Sequence, residues 1–188
     1  MLEVRPNSQG PLVLKSNLPD VGHLATWTVS SHKLGFDVNC LRDDDPETFW
    51  QSDGPQPHHI TLQFAKKVPV QKLAIMLNSA ADDSYTPVKL LIKAGTGLYD
   101  LQEVKTVTME KPTGWITFDA GTERMKDGHG FKPLSIYVLQ IVIAANYLNG
   151  KDTHVRGLRA LGVREPCLRD DDLLPFTSQA FAMHERVR

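Results

Sequence analysis

Cysteine is scarce in this 188-residue chain. Cys40 and Cys167 are the only two, and they form neither a CxxC pair nor a metal-ligand spacing. That gives no footing for a disulfide framework or a cysteine-based metal site, and a reducing, intracellular setting is the simpler expectation. An excess of one charge is missing too. Twenty-one Lys and Arg stand against 22 Asp and Glu, a formal net charge of −1. Nucleic-acid binding driven by counterion release needs a basic excess, so it is not expected. No apolar run approaches the ~20 residues of a membrane-spanning helix, and the first residues lack the continuous apolar core of a secretory signal. A soluble protein is expected. Walker loops, dinucleotide fingerprints and zinc-protease motifs are absent, as is helical periodicity of useful length.

What the chain does have is alternation. Ile60, Leu62 and Phe64 alternate with Thr61 and Gln63; Val68 and Val70 lead into Leu73–Leu77; Val88, Leu90, Ile92 and Ala94 alternate with Lys89, Leu91 and Lys93. Residues 101–109 and 115–118 add two short strands. Residues 136–145 are mostly apolar, as in a central strand covered on both faces, and residues 155–163 close the set. Gly and Pro clusters at 95–97, 111–114 and 128–133 separate these runs. Many short strands between turn signals predict an all-β sandwich or jelly roll. One short helical turn is expected near the N-terminus, with Asp45 as N-cap, Pro46 at the first helical position and Glu47 at the positive helix end. Residues 1–22 read as an irregular arm, 23–165 as the folded domain and 166–188 as a solvated tail.

Two polar loops stand out. Asn149-Gly150 can enter positive φ at little cost, so a tight turn is expected there. Lys151, Asp152, Thr153 and His154 then place a cation, an anion, a hydroxyl and an imidazole within four residues, more than a turn needs. Ser84, Tyr85 and Thr86 offer three hydroxyls before Pro87, and suit a connecting loop and a binding loop equally. If the sheet brings the two together, they form one polar shelf on a rigid scaffold. Ser84, Asp152 and His154 make a poor catalytic triad, because no nucleophile elbow or oxyanion glycines surround Ser84; no enzyme is expected. The acidic run Asp43-Asp44-Asp45 lacks the spacing of a calcium loop, and His58-His59 lacks further ligands for zinc, so no metal or cofactor is expected. The three tryptophans read as core and rim packing. Val187-Arg188 reads from composition as a fraying end, although a terminal carboxylate beside an Arg can also be captured by a partner.

Residues 41–44 (LRDD), 47–54 (ETFWQSDG), 56–58 (QPH), 83–87 (DSYTP) and 149–156 (NGKDTHVR) together resemble the DOC-domain family, above all the DOC-domain subunits of the anaphase-promoting complex. The resemblance runs in order from about His23 to Glu165. It implies a galactose-binding-like β-sandwich jelly roll. It also implies a non-catalytic subunit of a large ubiquitin ligase, acting in mitosis and the cell cycle in nucleus and cytoplasm. Such a subunit binds destruction-box degrons jointly with a WD40-propeller coactivator and promotes processive ubiquitination. On the same resemblance, Asn149, Gly150, Lys151, Asp152, Thr153 and His154 face the degron, with Ser84, Tyr85 and Thr86 at the same edge, and Val187-Arg188 docks into a tetratricopeptide-repeat subunit. Val187 stands where the family has isoleucine, one methylene smaller, a weakening of ~0.8 kcal/mol. The other reading of such a fold is a carbohydrate- or lipid-binding module. For sugar, Tyr147 is the one aromatic candidate; for lipid, neither polar loop reads as carrying apolar spikes with basic neighbours.

Overall fold

Ten strands build the protein in a computed structural model that describes residues 2–126 and 130–163. They are β1 (Leu2–Val4), β2 (Ala25–Val29), β3 (Trp50–Gln51), β4 (His58–Asn78), β5 (Pro87–Gly95), β6 (Gln102–Thr108), β7 (Thr113–Asp119), β8 (Leu134–Asn146), β9 (His154–Val155) and β10 (Gly157–Gly162). One short α-helix, α1 (Ser79–Asp82), follows β4. The main sheet runs β1-β6-β5-β8-β4-β10, with β2 and β7 also paired to β4. The all-β sandwich read from the alternation is the observed architecture.

The central element is β4, 21 residues long. Its first half lies between β2 and β8, and its second half between β7 and β10. The β8 register shifts between Gln63 and Val68, and there the strand bends from one layer into the other. His58 reaches the Lys151 carbonyl, and the Met76 carbonyl accepts from Arg156 N. Both ends of β4 therefore return to the same end of the sandwich. Period two does the rest: Leu73, Ile75 and Leu77 face the main core with Leu90, Ile92, Leu139 and Ile141, while Ala74 and Met76 face outward into a small second cluster with Trp115 and Leu161.

That outer cluster is covered by the first 22 residues. Expected as an irregular arm, they contribute β1, which pairs in parallel with β6, and otherwise run across the sheet with little regular structure. A second difference concerns Asp45-Pro46-Glu47. These residues form a turn, and the helical turn falls earlier, at Val38–Leu41, capped by Asp37. The carbonyls that would start a helix are already taken. Thr48 Oγ1 donates to Asp45 O, and Arg156 Nη1 donates to Pro46 O at 2.7 Å. Trp50, which a helix would have included, pairs instead with Val155 in the two-stranded sheet.

Candidate functional site

The two polar loops meet at the end of the sandwich where β4 starts and finishes. Tyr147 N donates to Thr86 O at 2.8 Å, and Thr153 Oγ1 donates to Tyr85 O at 3.3 Å. Gly150 lies so close to the other loop that an added Cβ would sit 1.9 Å from the Ser84 carbonyl oxygen. The tight turn expected at Asn149-Gly150 is present, with Asn149 rather than Gly150 taking the positive φ. Leu148 (φ 51°) and Asn149 (φ 59°) hold the left-handed conformation, while Gly150 has φ −56°. Glycine is needed at 150 for close approach, not for its backbone angle.

The loop is pinned from beneath by its carbonyls. Gly150 O accepts from Asn146 Nδ2 (3.1 Å) and Gln56 Nε2 (3.2 Å), Lys151 O from Gln56 Nε2 (2.8 Å) and His58 Nε2 (2.6 Å), and Asp152 O from Asn146 Nδ2 (2.8 Å). Thr153 N donates to Ser52 Oγ at 2.9 Å. With the backbone held inward, Leu148, Asn149 and Lys151 are left exposed. Tyr85 is exposed beside them and Ser84 half-buried, whereas Thr86 and Thr153 are fully buried.

His154 is a structural hinge pin as well as a member of the loop. Its ring is stacked between Phe49 (centroids 4.2 Å apart) and Tyr85 (4.3 Å), and Phe36 extends the column beyond Phe49. Its Nδ1 donates to Asp82 Oδ1 at 3.1 Å. Asp82 in turn receives a two-pronged contact from Arg156, Nε to Oδ2 at 2.9 Å and Nη2 to Oδ1 at 2.7 Å. Burial pushes the Asp82 carboxyl up, but the hydrogen bond from His154 and the paired Arg156 outweigh it and hold the carboxyl below its ordinary range. The Asp82 hydrogen bond raises the Arg156 guanidinium against the opposing effect of burial. The result is an outer polar and apolar face, formed by Leu148, Asn149, Lys151 and Tyr85, on a buried ionic base.

All nine shelf residues singled out in the sequence therefore sit at one place, but the structure divides them into exposed and buried. Val187 and Arg188 lie outside the described residues. Sequence reading missed Asp82, Arg156 and Phe49 as the base of the shelf, and Leu148, which is 67% exposed beside Lys151, so this loop does carry an apolar spike with a basic neighbour. One signal for the base was present. A cation inside the apolar run 155–163 requires a buried counter-charge, though its position 74 residues away has no local signature.

Gly150→Ala tests the joint between the loops. At φ −56° an alanine would by itself stabilise by about 0.4–1 kcal/mol. The 1.9 Å approach to backbone reverses the sign, and a net loss of about 1–3 kcal/mol is expected from overpacking. Urea unfolding checks this; a variant at least as stable as the wild type would mean that the loops part freely.

A family model described as "Anaphase-promoting complex, subunit 10" matches residues 4–186. Anaphase-promoting complex subunit 10 of Schizosaccharomyces pombe is 42% identical over 171 residues, covering 90% of this chain and 87% of that protein. The human protein of the same name is 41% identical over 140 residues, covering 74% and 72% respectively. In fold, the chain is similar to a family 32 carbohydrate-binding module of Clostridium perfringens NanJ solved with galactose. The TM-score is 0.58 at 15% identity, over 74% of this chain and 94% of that one.

Proposed function

Since the chain belongs to the anaphase-promoting complex subunit 10 family, we propose that it is a non-catalytic subunit whose polar shelf is half of a destruction-box degron receptor, the other half being a WD40 coactivator. The observation that carries this reading is the division of the shelf. Its backbone is fixed from below by Asn146, Gln56 and His58, while Asn149, Lys151, Leu148 and Tyr85 are free to meet a ligand. Asn149 can donate to and accept from an extended peptide backbone. Lys151 attracts acidic neighbours of the degron, and Leu148 and Tyr85 supply apolar contact. Asp152, Thr153, His154 and Thr86 act by holding that face in shape. A weak half-site of this kind gains strength when the second receptor holds the same peptide, because effective concentration replaces free concentration, and repeated rebinding supports processive ubiquitination. Val187-Arg188 docks the subunit on a tetratricopeptide-repeat partner, and the protein works in nucleus and cytoplasm.

Reconstitution into the complete complex tests this reading. Asn149→Ala with Lys151→Ala removes about two hydrogen bonds at 0.5–1.5 kcal/mol each. Degron-dependent ubiquitination at limiting substrate should then fall roughly 5- to 150-fold, with co-purification unchanged. Removal of Val187-Arg188 in the same assay should lower co-purification instead. Full processivity in the double variant would reject the degron assignment.

A further inference from the structure

Residues 11–19 form a strap whose two ends are stitched to the sheet. Trp115 N donates to Pro11 O (2.9 Å), Gly162 N to Pro19 O (3.1 Å) and Val21 N to Ala160 O (2.7 Å). Between these anchors the strap stands off. Leu14 and Leu18 pack on the outer cluster, but Leu12 and Val13 are 73% and 68% exposed. Under the bow lies a groove of about 490 Å³, floored by Met76, Trp115 and Leu161 and walled on the far side by Asp44, Asp45 and Pro46. That volume is within the range of about 300–1,000 Å³ typical of ligand sites.

The charges around the groove are unequal once the paired ones are set aside. Arg156 is matched by Asp82, and Arg159 by Asp44 and Asp20. Asp45 has no cationic partner among the described residues; its carboxylate accepts only the Glu47 N–H. Asp43 beside it is exposed and likewise lacks one among the described residues; Glu47, also exposed, acts on Arg156, and the exposed Lys15 of the strap offsets only part of the remaining acidic excess. The mouth is thus acidic over an apolar floor, the arrangement of an interface with a dry centre and a polar rim. Because the strap is already ordered, little conformational freedom is left to lose on binding.

We propose that this groove receives an extended segment of another subunit of the same complex, one carrying one or two apolar side chains flanked by a lysine or arginine. The proposal rests on membership of the complex but not on the degron reading. It gives the first 22 residues a role, because the strap builds one wall of a docking site.

The test uses the full chain assembled into the complete complex, with benzoylphenylalanine placed in turn at positions 12 and 13. A control probe sits at position 99, where Tyr99 is fully exposed on another loop. After irradiation, mass spectrometry should map crosslinks from positions 12 and 13 to one segment of another subunit, apolar with a Lys or Arg within about three residues. Asp45→Lys should cut that yield at least fivefold and leave crosslinking from position 99 unchanged. Crosslinks only to the chain's own residues 164–188, to coactivator or substrate, or to nothing would overturn the proposal, as would an Asp45→Lys variant that crosslinks normally. If the unmodified chain does not co-purify with the complex, membership and groove fall together. If it does and the probes stay silent, the groove alone is wrong.

Discussion

Asp82→Asn is expected to lower the free energy of unfolding by about 3–5 kcal/mol, the usual cost of leaving a buried charge without its partner. Arg156 is 7% exposed and spends two of its nitrogens on the Asp82 carboxylate. Asparagine keeps the shape but offers one acceptor, turns an NH2 toward the guanidinium, and leaves His154 competing for the same oxygen. The sign of the pH effect follows from the depressed carboxyl. A folded value below the unfolded one, ~3.9, makes the contribution fully present above about pH 4 and lost as pH falls through the folded value. Urea melts at pH 7 should separate the two proteins widely, and the gap should narrow in acid. Equal stability at pH 7 would show that the pair contributes nothing net. Since Arg156 also holds the Pro46 carbonyl and stacks over Phe49, the peptide binding proposed for the shelf should weaken as well.

The second large effect is expected away from the shelf. Lys105 is 1% exposed, donates through Nζ to the carbonyls of Asp119 and Gly121, and lies 5.2 Å from the centre of the Phe131 ring. Lys105→Met keeps the stem and removes the donor. Two carbonyls, one buried and one half-buried, would lose this partner at about 1–3 kcal/mol each. Relief of the buried ammonium offsets part of this, leaving a net loss of about 2–4 kcal/mol. Burial lowers the Lys105 pKa, with Asp119 opposing and Lys72 adding to the effect. The unfolded chain therefore binds more protons at alkaline pH. The wild type pays its desolvation penalty in full below the folded value and sheds it as pH rises toward ~10.4, so its stability rises across that window and the methionine variant's does not. A guanidinium series from pH 8 to 10.5 measures this. Parallel slopes in the two proteins would contradict it.

Local signals were legible and long-range ones were not. Alternation at Ile60, Leu62, Phe64 and at Leu90, Ile92, Ala94 marks buried faces directly, because one strand carries its own period. The same pattern does not show that residues 58–78 are a single strand serving both layers, since a bend at Gln63–Val68 is a property of pairing with β8. Asp45-Pro46-Glu47 has good helix-start chemistry, but Arg156, 110 residues from Pro46, takes the carbonyl. The shelf was visible because its polar residues fall in two short runs, 84–86 and 149–154, while apolar Leu148 carried no such mark. The base of the shelf was not visible, because Asp82, Arg156 and Phe49 meet only in the folded chain. Gly150 was the right residue for another reason, as its neighbour across the gap belongs to a different loop.

The shape of β4 also bears on how the chain is made. Its second half takes both edge partners from segments synthesised later: β7 begins about 35 residues after Asn78, and β10 roughly 80 residues after it. At about 5–20 residues per second, Leu73–Leu77 waits roughly 4–16 s on the ribosome before its last partner exists. During that interval an apolar strand with open hydrogen-bonding edges is the segment most in need of chaperone cover. Among the described strands, β10 is the last to be made, and its pairing with β4 closes that edge of the sheet.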